Sequence, residues 1–162
     1  MKNKSLLGLS TAFALTLAIG VTSCKKDKDD NNGASSKFSA TIGTAAFAPQ
    51  VVNAVDLGGD IMISGFSAKS GGDSSVLQIN FPDTAKVNST FDITSYIAGL
   101  SYWNTKGTID YGGLNSHGTI TITAFDKAGK KVAGNFSGVI YNTPYDSLVI
   151  KDGKFNTNYL TF

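Results

Sequence analysis

Two runs of alternating residues between Gly118 and Tyr141, separated by Asp126-Lys127-Ala128-Gly129-Lys130, restrict the fold of this chain more than any other stretch. Alternation at period two on either side of a glycine-containing loop specifies a long β-hairpin. A three-residue loop Lys127-Ala128-Gly129, a type I turn closed by Gly129 in the left-handed region, pairs Asp126 with Lys130. That register sets Ala124 opposite Val132, Ile122 opposite Gly134 and Ile120 opposite Phe136. Turn chemistry and apolar face select the same pairing, because a slip of one residue would send the isoleucines to the face of Ala133 and Asn135. Thr119, Thr121 and Thr123 take the other face, which is expected to meet water.

The text before and after the hairpin has the same character. From Lys37 onward, short runs rich in β-branched and aromatic residues are separated by Gly, Asn, Asp and Ser about every ten residues, and no window has apolar residues at helical spacing over three turns. Strands are expected at Phe38 to Ile42, around Phe47, at Val51 to Leu57 and at Ile61 to Phe66, the last two joined across Gly58-Gly59 in an open register. Val76 to Phe81 alternates, with Leu77, Ile79 and Phe81 on one face, and Pro82 ends it because proline cannot donate to a ladder. Further short strands are expected at Phe91 to Ile93, Leu100 to Trp103 and Thr108 to Tyr111, with a helical turn near Tyr96 to Gly99. The chain then closes with Leu148 to Lys151, an Asp152-Gly153 turn and a last strand through Phe155 towards Phe162. The expected fold is all-β, an antiparallel β-sandwich or flattened β-barrel of about 9–11 short strands.

This domain, residues 37–162, follows a different kind of sequence. Lys2 and Lys4 precede sixteen uncharged residues from Leu6 to Val21, too few and too often interrupted by hydroxyl side chains for a spanning helix of about 20 apolar residues. The pattern is that of a cleaved secretory leader. Val21-Thr22-Ser23-Cys24 resembles the lipobox of bacterial lipoprotein precursors. The resemblance implies a signal peptide over 1–23, cleavage by signal peptidase II between Ser23 and Cys24, and acylation of Cys24, the only cysteine in the chain. Residues 24–36 then form an acylated, charged, flexible linker. Lys25-Lys26-Asp27-Lys28-Asp29-Asp30 reads either as a solvated tether or as the Lys/Asp signal that sends lipoproteins of Bacteroidota-type bacteria to the outer face of the outer membrane. An EF-hand reading of Asp27, Asp29 and Asn31 fails, because Asn32 stands where the loop needs Gly and Phe38 where it needs Glu.

Across the mature chain, Phe38-Ser39-Ala40-Thr41-Ile42-Gly43, Phe91-Asp92-Ile93, Gly118-Thr119-Ile120-Thr121-Ile122, Val132-Ala133-Gly134-Asn135-Phe136 and Asp152-Gly153-Lys154-Phe155 resemble small Bacteroidota-type surface lipoproteins with an all-β domain of no assigned function. The resemblance implies an antiparallel domain on a lipid anchor, in the outer membrane and exposed either to the cell surface or to the periplasm. It supplies no catalytic residue. A terminal Phe162 with Leu160 two places before it resembles the last strand of an outer-membrane barrel, but Asn158 and Asn156 interrupt the lipid-facing period and the lipobox belongs to another export route.

Charge narrows the functional classes. The net charge of +2 comes from Lys2 and Lys4, since linker and domain each balance Lys against Asp, and the chain has no Glu, no Arg and one histidine, His117. A neutral mature protein lacks the cationic footprint of a nucleic-acid binder. His117 precedes a strand in a turn-like context without a Gly-x-Ser-x-Gly elbow or partner metal ligands, so neither a triad, a metal site nor a cofactor is expected. Two carboxylates would suffice for glycoside hydrolysis, yet most aspartates lie at turns, where they bond local backbone. The expectation is a non-catalytic binding or structural module whose partner is a surface glycan or a protein. The alternative is a glycan-binding accessory module, and a glycoside-active enzyme ranks third.

Exposed Tyr and Trp would make a sugar platform, whereas Phe fills cores. Tyr96, Tyr102, Trp103 and Tyr111 are the candidates. Tyr102 and Trp103 are adjacent in a strand and point to opposite faces; Trp103 is expected inside, and an outward Tyr102 would join Tyr96 or Tyr111. Asp83-Thr84-Ala85 and Asp146-Ser147-Leu148 resemble the Asp-Ser/Thr-apolar sites of O-glycosylation in Bacteroidota-type bacteria, which marks Thr84 and Ser147.

Overall fold

The computed structural model describes residues 36–68, 74–94, 97–104, 110–112, 115–142 and 146–162. The leader, Ser23, Cys24, most of the linker and Tyr96 lie outside them. The described residues form two six-stranded sheets without a helix, an all-β sandwich. In chain order the strands are β1 (Lys37–Ile42), β2 (Ala45–Phe47), β3 (Val51–Asp56), β4 (Asp60–Ser67), β5 (Ser75–Pro82), β6 (Thr90–Asp92), β7 (Gly99–Asn104), β8 (Asp110–Tyr111), β9 (His117–Asp126), β10 (Lys131–Asn142), β11 (Asp146–Asn158) and β12 (Leu160–Thr161). The first sheet has the order β2-β1-β11-β10-β9-β6 and the second β12-β3-β4-β5-β7-β8. Neighbours are antiparallel except β12, which runs parallel to β3.

Apolar alternation decides which faces meet. Ile61 and Ile63 of β4, Leu77, Ile79 and Phe81 of β5, Ile120 and Ile122 of β9 and Ile140 of β10 are wholly buried between the sheets. Each such side chain contributes roughly 1.5–3 kcal/mol through removal from water. Aromatic rings tie the layers together, Phe81 lying 5.8 Å from Phe155 and 6.4 Å from Phe91, and within the first sheet Phe38 lies 5.4 Å from Phe136. Within the first sheet Phe155 pairs with Gly134 and Phe136 with Gly153. A Cβ on either glycine would overlap the partner ring, so both positions require the missing side chain.

Gly58-Gly59, both at positive φ, form a two-residue turn closed by the Leu57 N–H on the Asp60 carbonyl, and Asp56 pairs with Ile61. The register left open in the sequence is therefore fixed by the turn.

The β9–β10 hairpin agrees with expectation away from its tip and departs from it at the tip. Ile122 pairs with Gly134 and Ile120 with Phe136, but Asp126 pairs with Lys131, Val132 with Phe125, and Ala133 with Ala124. The loop has four residues, Lys127 to Lys130. Lys130, at φ +50°, takes the left-handed conformation expected of Gly129, and the Gly129 N–H is held by Asp126 Oδ1 at 2.9 Å. The extra loop residue is absorbed at Thr123, where the register shifts. This β-bulge reverses the phase of β9, so that Phe125 joins Ile120 and Ile122 on the inner face and packs 6.2 Å from Tyr159.

The expected turn at Asp152-Gly153 is also a bulge. β11 is one thirteen-residue strand whose ladders to β10 and to β1 both shift there, Ser137 facing Lys151 and Asp152. Asp152 has φ +52°. The strand continues because segments on both sides of Asp152 keep the same two neighbours, and their paired backbone outweighs one left-handed residue.

The sandwich has two distinct ends. At one, where the described residues begin, the Thr157 hydroxyl donates to Ser36 Oγ at 2.9 Å, and the Tyr159 N–H donates to the Lys130 carbonyl. At the other, Asp146 begins β11 and the Gly112 N–H donates to the Tyr141 carbonyl, linking β8 to β10 across the sheets. A strand of this length at about 3.3 Å per residue separates the two ends by roughly 40 Å.

Candidate functional site: a tyrosine cluster at the end opposite Ser36

Tyr102 faces inward and Trp103 outward, the reverse of the expected assignment. Pairing decides it: Tyr102 lies opposite Leu77, which is wholly buried, and Trp103 opposite Val76. Residues directly opposite one another in a ladder share a face, so Tyr102 follows Leu77 into the core edge and contacts Phe47 at 6.5 Å. Trp103 takes the outer face of the second sheet in a row with Val76, Phe66 and Val51. Both rings remain half-buried.

The β7–β8 pairing sets Tyr111 opposite Tyr102, with ring centroids 6.4 Å apart. Two of the candidate platform residues are thus brought together, and Trp103 is on the other side of the sheet from them. The Tyr111 hydroxyl donates to Asp146 Oδ2 at 2.5 Å. That bond raises the Tyr111 pKa above the ordinary phenol value, because a phenolate would lose the proton the carboxylate accepts; burial, the charge of Asp146 and Tyr102 act in the same direction. Beside them, exposed His117 at the start of β9 has its ring 6.0 Å from that of Tyr141 near the end of β10. The Tyr141 N–H donates to Ser116 Oγ.

Two ring pairs thus lie at this end, Tyr102 with Tyr111 and its carboxylate partner Asp146 at the core edge, and Tyr141 with His117 on the outer face of the first sheet, joined through the backbone bond between Gly112 and Tyr141. Aromatic faces stack on the apolar sides of sugar rings, and hydroxyl and carboxylate tips take their hydroxyls. Tyr141, His117 and Asp146 were not singled out as platform residues in the sequence. Asp146 meets the Tyr111 hydroxyl across the sheets, and Tyr141 with His117 is tied to the same end by the bond from Gly112, links that no local pattern announces.

The other aspartates behave as turn residues do. Asp56 Oδ1 accepts from the Gly58 N–H and Asp92 Oδ1 from the Thr94 N–H. Among the described residues no group of three His, Cys, Asp or Glu side chains is placed to hold a metal ion, and no helix is long and apolar enough to cross a membrane. Thr84 is exposed in the turn after Pro82, and Ser147 is exposed on β11. No protein-family model matches the chain, and no curated protein or solved structure does.

Proposed function

We propose that this chain is an outer-membrane surface lipoprotein of the Bacteroidota type, cleaved before Cys24, acylated there and carrying a non-catalytic binding module. The observation that carries this reading is the separation of the two ends of β11. The linker from the lipobox cysteine joins at Ser36 beside Thr157, and the tyrosine cluster gathers around Asp146 at the far end. A domain tethered at one end offers the other to ligands outside the membrane. Local roles for Asp56, Asp92 and Asp126 as backbone acceptors support binding over catalysis.

The favoured ligand class for the cluster is a glycan, since tyrosine rings beside a carboxylate suit a polyhydroxylated ring. Binding of the mature protein to a panel of neutral and acidic cell-surface oligosaccharides tests this. Tyr111→Ala and, independently, Tyr141→Ala are expected to weaken binding at least tenfold, about 1.4 kcal/mol. Wild-type binding by both variants would remove the cluster from the account.

A further inference from the structure

The bulge at Asp152 does more than rephase β11. Downstream of it the outward side chains are Lys154, Asn156 and Asn158, and upstream they are Lys151, Val149 and Ser147; at the bulge itself Lys151 and Asp152 are both exposed. Three charged side chains within four residues therefore lie on one face of a sheet. Opposite them are exposed Asn135 and Ser137 of β10, and beyond those Thr119 and Thr121 of β9. These residues line an open groove of about 640 Å³. One polar row crosses five strands without interruption, Thr90, Thr121, Asn135, Lys154 and Ser39, and the hydroxyls of Thr90 and Thr121 are 3.1 Å apart.

The volume is that of a small-ligand site, although such sites are usually lined by apolar side chains. This one offers hydroxyls, an amide, a carboxylate and two ammonium groups, an inventory with both donors and acceptors for a ligand rich in hydroxyls. Asp152 holds a left-handed conformation that a non-glycine residue adopts at a cost, and bulges recur where a side chain is re-aimed towards a site. Two lysines against one aspartate leave the groove with a positive balance.

We infer that the groove over β9, β10 and β11 is a binding site for an acidic oligosaccharide, with Lys151 and Lys154 taking the anionic group and Asn135, Ser137 and Asp152 taking ring hydroxyls. The site is on the outer face of the first sheet, whereas Tyr102 and Tyr111 lie at the core edge between the sheets, and it stands even if those two tyrosines bind nothing.

Isothermal titration of the mature, detergent-solubilised protein tests it with three probes: oligogalacturonate, a sulfated galactan oligosaccharide and a neutral galactan oligosaccharide. At least one acidic probe is expected to bind about tenfold or more tighter than the neutral one, with affinity falling as salt rises. The stronger acidic probe identifies the anion as carboxylate or sulfate. Lys151→Gln and Lys154→Gln should each weaken that binding about tenfold, the loss of one charge-assisted contact. Asn135→Asp should weaken the acidic probe more than the neutral one, which a purely structural role would not do. No binding of either acidic probe, equal binding of the neutral probe, or undiminished binding by the double lysine variant would overturn the assignment.

Discussion

Ile150 and Phe155 face the same core although five positions of one strand separate them, a spacing that in a regular strand puts two side chains on opposite faces. The bulge at Asp152 reconciles them. Because the bulge is one extra residue in β11, deleting Asp152 leaves the two four positions apart, an even spacing that keeps both inward in a regular strand, so the deletion should cost less than the roughly 1.5–3 kcal/mol of exposing either side chain. Asp152→Gly keeps the residue count and should stay within about 1 kcal/mol of the parent. Urea midpoints measure both, and a deletion that costs as much as exposing Ile150 or Phe155 would mean that β11 has another register.

The hairpin tip makes a second, separable prediction. Lys130, not Gly129, has positive φ, so Lys130→Gly should stabilise the domain by up to about 1 kcal/mol by relieving a left-handed lysine. Gly129→Ala should destabilise it, because the added Cβ would overlap the Asp126 carboxylate that holds this turn. Chemical denaturation that ranks the two variants in the opposite order would restore the three-residue turn.

Alternation in the sequence was enough to identify the class of fold and most strands, since Leu77, Ile79 and Phe81, or Ile120 and Ile122, reveal their face without knowledge of their partners. Bulges were not legible. At Thr123 and at Asp152 a single extra residue reverses the apolar phase, and Asp152-Gly153 has the composition of a turn, so the sequence suggests a chain reversal where the strand continues. The inward choice of Tyr102 over Trp103 was equally hidden, because adjacent aromatics satisfy alternation either way and only the ladder with Leu77 decides. Tyr102 and Tyr111 were recognisable as the polar-tipped aromatics, although both pack against the edge of the Phe-rich core. Their link to Asp146 depends on a contact between sheets, from residues 35 positions apart.

Tyr111 supplies a pH signature. Its folded pKa is raised above the unfolded phenol value, chiefly by the bond to Asp146, so its contribution is fully present below about pH 10 and is lost as pH rises through the folded pKa. Tyr159 acts in the same window, its pKa raised by burial and then by Asp56, Asp126 and Asp83. Stability should therefore fall above pH 10, and Tyr111→Phe should reduce the steepness of that fall while costing about 1 kcal/mol at neutral pH. Denaturation midpoints between pH 8 and 11 measure this, and an unchanged slope in Tyr111→Phe would mean that the bond to Asp146 does not form.

Thr84 is exposed in a turn whose next residue, Ala85, is buried and donates its N–H to the Pro82 carbonyl at 3.1 Å. The hydroxyl is thus held at the surface on a fixed backbone, where a glycosyltransferase can reach it. Protein from the native cell should carry added mass that Thr84→Ala reduces. An intact mass equal to the bare acylated chain would reject modification at both Thr84 and Ser147.

The lipid anchor is the central claim, because it gives the two ends of the sandwich their meaning. Metabolic labelling with an alkyne fatty acid, followed by fractionation, tests it most directly by comparing the parent with Cys24→Ala. The account predicts a labelled, membrane-bound parent and an unlabelled variant released from the membrane fraction. Undiminished labelling of Cys24→Ala, or a parent that takes up no label, would contradict it.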